Sequence, residues 1–430
     1  MQLNINKNVK ENTIVSKNDK VIVLLVGLAL WLFIPILGIF PLIFFIHLNR
    51  KSKGKLNFIV SLLVILTITI FVSSTDVVSD LAVYVDNYRQ LKNKTPFEIS
   101  GGQGLEFVMW VASYPIYKIS NGSNYAFVFF WCFFFNATVF LVIAKGFSPK
   151  NYGLLLLFIV ANPVYFSFQI FLVRQYLATI IFLVAVISID RKPLMWGLYV
   201  LSLFTHIANI IYLPFLLLYN KLHLFKSKIV IFCFVIAGSI LPFSGDYFIN
   251  LTEKLARLLP LQYAQAIVAK TGYYSSERTN ESDITITLIE NLVLLLVILI
   301  LLKPIKYQTY QEKLLLILYP VLFFLMFIGK DIHMFSNRVS FLLYPFGGLF
   351  YCLVIEHKWR MLKRFSIILL LSVKLLYFNY YLYNVSVGNN PFLFLDEKVY
   401  SSTILDYIEI AEHNFTEDVK IKELPPRTIY

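Results

Sequence analysis

Residues 194–220, LMWGLYVLSLFTHIANIIYLPFLLLYN, decide the class of fold. The stretch holds no Asp, Glu, Lys or Arg, and its one histidine, His206, stands near the middle. About 17–25 apolar residues cross a bilayer as a helix. In hydrocarbon each backbone N–H and C=O must be paired inside its own segment, so the run is helical. A membrane β-barrel is excluded, because its strands would alternate apolar and polar residues. Basic residues flank the run on both sides: Arg191 and Lys192 before it, Lys221, Lys226 and Lys228 after it. Segment 21–48, VIVLLVGLALWLFIPILGIFPLIFFIHL, is bounded in the same way by Lys17 and Lys20, then Arg50, Lys51, Lys53 and Lys55. At 1.5 Å per residue neither is long enough for two full crossings of a core about 30 Å thick. Two readings are open for each. One is a broken, re-entrant or short-hairpin helix, with Pro35 and Pro41 breaking the first and Thr205-His206 the second. The other is a single long tilted helix with locally atypical loop charge.

Further apolar runs lie at 56–74, 124–144, 151–166, 170–189, 229–245, 284–302, 314–329, 339–355 and 365–385. Over the 430 residues, 58% are hydrophobic and 15% charged, with mean hydropathy +0.71. Soluble domains carry about 25% charged residues, so this chain is too poor in charge to cover soluble surfaces. A soluble enzyme, a disordered chain and a disulfide scaffold are excluded. Cys132, Cys233 and Cys352 sit far apart in apolar runs, with no CxxC pair. The polar stretch to Lys20 lacks the short apolar core and small-residue cleavage site of a removable signal peptide. The expected fold is all-α: a polytopic transmembrane bundle of about 11–13 helices, some broken. Residues 1–20 form a polar cytoplasmic N-terminus, 21–385 the membrane domain, and 386–430 a polar tail without an assigned role.

Charge sets the orientation. Loops 49–55, 145–150, 190–193, 221–228, 303–313 and 356–364 hold 18 Lys and Arg in 45 residues, whereas 75–104, 246–283 and 330–337 hold 8 in 76. The first group is cytoplasmic and the second external. The net charge of +13 is therefore spread along one membrane face. That suits anionic lipid and not a nucleic-acid groove.

Charged residues set against apolar runs carry the chemical information, because an intramembrane Arg costs about 2.5–3.5 kcal/mol on insertion scales. Arg174 and Arg338 each stand at the external end of a span. Guanidinium binds phosphate bidentately and keeps its charge, so both suit a lipid-linked phosphate or pyrophosphate. Pairing with a carboxylate, or snorkelling, explains them without a ligand. His206 reads either as a proton acceptor or as a core histidine bonded to backbone at a helix break. In 76–91, Val77, Leu81, Tyr84, Tyr88 and Leu91 recur at helical spacing, with Asp76 and Asp80 beside them. A surface helix accounts for that pattern. The functional reading adds sugar: Asp80, Asp86 and Glu106 as hydroxyl partners or general base, and Tyr84, Tyr88 and Trp110 as rings that stack on pyranose. Residues 105–119 suit an interfacial helix, with Trp110, Tyr114 and Tyr117 at the headgroup level. His333 and Arg257 read as solvated, and Lys374 and Glu290 as paired. No HExxH, P-loop, GxSxG, DxD or Cys/His metal cluster is present. No metal site and no cofactor are expected.

The order of these features resembles the EpsG-like, Wzy-type polysaccharide polymerases of bacterial cell envelopes. The resemblance runs over about 75–345. It rests on Asp80-x3-Tyr84-x3-Tyr88, Glu106 before an amphipathic helix, Arg174-Gln175-x-Leu177-Ala178, Thr205-His206, and Arg338 followed by Tyr344. Phe107 stands where such proteins often have Pro. The resemblance implies a GT-C-like bundle in the bacterial cytoplasmic membrane with its active site facing outward. It implies transfer of a growing glycan, O-antigen or capsule, from undecaprenyl pyrophosphate to the next lipid-linked unit, without metal. Arg174 and Arg338 then meet the pyrophosphate, and His206, Asp80, Asp86 or Glu106 takes the acceptor proton. Expected partners are the undecaprenyl-pyrophosphate-linked oligosaccharide, membrane lipid and a chain-length regulator, with no nucleic acid. Competing readings are a flippase for the same lipid-linked units, and another envelope ligase or acyltransferase. A flippase usually shows two related halves and short external loops, and neither is visible here.

Overall fold

A computed structural model describes residues 16–49, 54–99, 106–146, 152–218, 368–382 and 400–415, apart from Asp76, Val78, Leu172, Leu370 and Tyr381, together with Asn250 and Lys254. The expected spans 229–245, 284–302, 314–329 and 339–355, the external loop 246–283 and Arg338 lie outside these described residues. Every element among the described residues is helical.

The first apolar stretch is a helical hairpin. Helix α1 (Lys17–Phe33) opens on a capping box, in which Ser16 Oγ accepts from the Asp19 N–H at 3.1 Å and Asp19 returns a carboxylate to the Ser16 N–H at 2.9 Å. It ends at Ile34, held extended (φ −138°, ψ 79°) because the next residue is Pro35. Helix α2 (Pro35–Leu48) then runs back along it. A Cβ on Gly38 would stand 2.5 Å from the Trp31 backbone, and one on Gly27 would stand 2.9 Å from Leu42. Those two pairs fix an antiparallel register about Ile34. Pro35 makes the break; Pro41 lies inside α2 and makes none.

Helices α3 (Lys55–Ser73) and α7 (Asn124–Gly146) have the length and apolarity to cross a bilayer. Between them come α4 (Ser79–Arg89), α5 (Pro96–Ile99) and α6 (Val108–Ile119). Next follow α8 (Tyr152–Val160), α9 (Pro163–Phe171), α10 (Val173–Ile187) and α11 (Lys192–Thr205). The run expected as one span at 151–166 is thus two short helices, parted at Ala161-Asn162 ahead of Pro163.

A buried polar knot holds α3, α7 and α9 together. Asn136 Nδ2 donates to Gln169 Oε1 at 2.9 Å and to Thr69 Oγ1 at 3.3 Å, and the Tyr165 hydroxyl donates to Asn136 Oδ1 at 2.5 Å. Where no water competes, satisfied amides specify which helices pair. Rings lock the remainder. Phe378 meets Phe40 at 5.2 Å and Phe166 at 5.4 Å, seating the helical residues 371–380 between α2 and α9. A further helix, α13 (Ile404–Asn414), docks on the end of α3 through Tyr407, 5.3 Å from Phe71. It also reaches the start of α7, where the Phe415 ring lies 6.4 Å from that of Tyr125.

The second long apolar stretch is broken at the expected place. His206 is extended (φ −155°, ψ 117°) and ends α11. A 3-10 helix, Ile207–Tyr212, and α12 (Leu213–Leu218) follow. The chain folds back here: Tyr199 Oη donates to the Asn209 carbonyl at 3.3 Å, and Phe182 of α10 touches both Tyr199 and Tyr212.

Candidate active site

The break at His206 leaves the Ile207 N–H without an upstream carbonyl, and in apolar surroundings such a donor must be paired. Glu106 supplies the partner. It sits just ahead of α6, and its Oε1 accepts from the Ile207 N–H at 3.3 Å. The same oxygen lies 2.7 Å from His206 Nδ1. The other oxygen, Oε2, takes Arg174 Nη1 at 2.8 Å. Arg174 stands in the first turn of α10, so three distant segments meet at one carboxylate. The Glu106 side chain is 4% exposed, that of His206 12% and that of Arg174 30%. Access to the cluster is therefore from the arginine and histidine side.

Helix α4 closes one flank. Tyr84 and Asp80, one turn apart, both act electrostatically on Arg174, whose guanidinium carbon is 5.4 Å from the Tyr84 ring centre. Burial pushes the Tyr84 hydroxyl above its ordinary pKa, against the opposing pull of the Arg174 charge. It remains a protonated donor at neutral pH. One buried N–H donor here, Arg174 Nε, has no acceptor among the described residues.

Of the expected site residues, Glu106, Arg174 and His206 meet directly, and Asp80 and Tyr84 border them. Asp86 does not join. It lies exposed on another face of α4, where Gln90 Nε2 donates to it at 3.1 Å. The rings expected to meet sugar are packed inside the protein. Tyr84 is 6% exposed, Tyr88 0% and Trp110 2%. Tyr88 stacks on Phe127 at 4.4 Å, and Trp110 lies between Tyr84 and Phe127. Rings so covered present no free face to a sugar; they fasten α4 and α6 to α7.

Beside the cluster, among the described residues, lies an accessible aromatic row that sequence reading missed. Phe107 lies 5.2 Å from Phe97 and 5.4 Å from Phe204. Phe97 is 64% exposed. The available signal was adjacency, since Phe107 follows Glu106 and Phe204 precedes His206 by two residues. Among the described residues no group of three or more His, Cys, Asp or Glu is placed to hold a metal ion.

Helices α10 and α11 run antiparallel from the turn that carries Arg191 and Lys192. At 1.5 Å per residue each carries its site residue roughly 20 Å from that basic turn. The cluster therefore stands toward the opposite end of these helices.

Residues 58–396 match the family model of the EpsG family, which covers well over half of the chain. Neither the curated proteins nor the solved structures contain a match.

Proposed function

The chain belongs to the EpsG family, membrane proteins of polysaccharide biosynthesis, and from that premise we propose that it is a polymerase of lipid-linked oligosaccharide repeat units. In this reading it acts at the outer face of the cytoplasmic membrane on undecaprenyl-pyrophosphate-linked glycan. The observation that carries the proposal is the meeting of Arg174, Glu106 and His206 at a broken intramembrane helix.

The reaction needs a base for the acceptor hydroxyl and a cation for the leaving group. His206 serves as the base. Its Nδ1 faces an acceptor-only carboxylate, so it carries a proton, and in this reading Nε2 of the neutral ring takes the proton of the acceptor. The acceptor oxygen bonds to the anomeric carbon of the growing chain while the bond from that carbon to the phosphate oxygen breaks. The hydroxyl proton passes to Nε2. Undecaprenyl pyrophosphate departs with the bonding electrons.

Arg174, partly exposed, stabilises the charge that develops on it. Of its five donors one is used by Glu106 and another meets the Tyr84 hydroxyl, and its Nε has no acceptor among the described residues. Arg338 is the second proposed cation, and the row Phe97–Phe107–Phe204 the surface along which sugar rings lie. The distance of the cluster from the basic turn supports an outward-facing site.

The test is reconstitution of the full chain in proteoliposomes with a purified undecaprenyl-pyrophosphate-linked repeat unit. The expected products are a ladder of longer glycans and free undecaprenyl pyrophosphate. Arg174→Ala should abolish the ladder while the protein remains in the membrane. Translocation of the unit without extension would replace the polymerase by a flippase.

A further inference from the structure

Helix α4 brings Tyr84 to the cluster, and the place of that ring is fixed elsewhere. Tyr88, one turn on, stacks on Phe127 at 4.4 Å and meets Tyr117 edge-on at 5.3 Å. Its hydroxyl lies 3.2 Å from that of Ser120. Tyr84 itself rests against Trp110 at 6.4 Å, and Trp110 lies parallel to Phe127 at 6.4 Å. These partners belong to α6, to α7 and to Ser120 beyond α6. The Tyr84 ring is thus seated without help from Arg174.

Arg174 is the reverse case. Its side chain is long, turns about several single bonds, and leaves the first turn of α10. Glu106 Oε2 takes Nη1 at 2.8 Å. A planar group pinned at one corner still swings about that contact, and a second contact from another direction stops the swing. Tyr84 supplies it. The guanidinium carbon stands over its ring, 5.4 Å from the centre, and the hydroxyl meets the guanidinium as well. Asp80 adds its charge to the same group. A guanidinium is flat and stacks on aromatic faces, and the attraction grows where water is excluded.

We infer that Tyr84 is a positioning residue: its ring, seated by α6 and α7, fixes the plane of the Arg174 guanidinium that Glu106 pins at one corner. The ring read from sequence as a platform for sugar acts instead on the cation. The inference rests on the polymerase reading only for what the guanidinium is aimed at; its orientation is measured without turnover. In that reading a fixed plane keeps the remaining donors in register with the oxygens of the pyrophosphate.

The experiment uses the full chain in nanodiscs with 15N-labelled arginine, the Arg174 signals being assigned by their loss in Arg174→Lys. Rotation about the guanidinium C–N bonds exchanges the Nη positions, and its rate reports how firmly the group is held. Wild type should exchange slowly. Tyr84→Leu removes ring and hydroxyl and should quicken exchange by about tenfold, the scale of a desolvated cation–π contact. Tyr84→Phe keeps the ring on Trp110 and should quicken it by less. Exchange in Tyr84→Leu as slow as in wild type overturns the inference. Should that variant fail to fold, unchanged exchange in Tyr84→Phe overturns it.

The activity arm uses the lipid-linked repeat unit, with rates taken per folded chain. Tyr84→Leu should lower kcat by about a hundredfold, the scale of a group misplaced by roughly 1 Å, and Tyr84→Phe by less, with KM moving less than kcat. A packing role alone would lower Tm and leave kcat per folded chain as it is, and that result overturns the positioning role. Quickened exchange in Tyr84→Leu, in a protein whose wild type extends no chain, leaves Tyr84 as assigned and sinks the polymerase reading instead.

Discussion

Replacing Gly38 by Ala tests the α1–α2 hairpin at its tightest point. The added Cβ would stand 2.5 Å from Trp31 Cα, 2.5 Å from Trp31 N and 2.8 Å from Trp31 Cβ. Carbon atoms rest at about 3.5–4.0 Å, so the helices must part by roughly 1 Å. No rotamer change relieves this, because two of the three atoms are backbone. Trp31 is also tethered to α3, its Nε1 donating to Thr67 Oγ1 at 2.8 Å, so parting the helices strains a second contact. Overpacking costs about 1–3 kcal/mol, and a strained hydrogen bond adds up to about 1 kcal/mol. Helix propensity returns about 0.8–1 kcal/mol for Gly to Ala. The expected net loss is about 0–3 kcal/mol, against a gain for a Gly to Ala change that meets no neighbour. Gly197→Ala is the control, since among the described residues nothing lies within 4 Å of its Cβ and propensity alone acts. Gly27→Ala falls between, because its nearest neighbour is the movable Leu42 Cδ2 at 2.9 Å. Thermal unfolding of the purified chain in detergent should rank Gly197→Ala, Gly27→Ala and Gly38→Ala in falling order. Equal stability of Gly38→Ala and Gly197→Ala would refute the hairpin register.

Three other outcomes follow from the same structure. Ser16→Cys and Gly54→Cys, which flank the hairpin, should be labelled by an impermeant thiol reagent from the same side of the membrane; labelling from opposite sides would favour a single long helix. Arg174→Ala should lose chain extension without loss of membrane-inserted protein, and a normal ladder from that variant would remove Arg174 from the chemistry. Glu98 caps α5, accepting from the Thr95 N–H at 2.6 Å and the Thr95 hydroxyl at 2.8 Å, and these bonds hold its carboxyl below the usual carboxylate range. A depressed folded value means that its contribution is complete above the unfolded-state value and is lost as pH falls through the lower folded one. Hydrogen exchange at 95–99 should therefore quicken as pH drops across that acid window after correction for the intrinsic rate, and Glu98→Ala should flatten the dependence.

Much of the fold was legible because the bilayer removes alternatives. An apolar run that cannot reach water must close its own hydrogen bonds, so α3 and α7 stand almost where hydropathy places them. The break at Thr205-His206 was legible for a related reason: a polar residue amid apolar ones, in a run with basic residues beyond both ends. Pro35 and Pro41 were equivalent on paper. The structure breaks at Pro35 because Ile34 ahead of it is extended and the two helices can then close on Gly38. That closeness is a property of two helices together, which neither displays alone.

The site divides in the same way. Arg174, Glu106, His206, Asp80 and Tyr84 each declared themselves as polar groups in or beside hydrocarbon. Their meeting did not, since Glu106 is 68 residues from Arg174 and 100 from His206. Local pattern states how strongly a side chain resists burial; it does not state which partner answers that resistance. Likewise the spacing that put Tyr84, Tyr88 and Trp110 on helix faces could not say that α7 covers those faces. Hydrophobicity along a chain is summed residue by residue. Pairing and burial depend on distances across the fold, and only the packed molecule sets those.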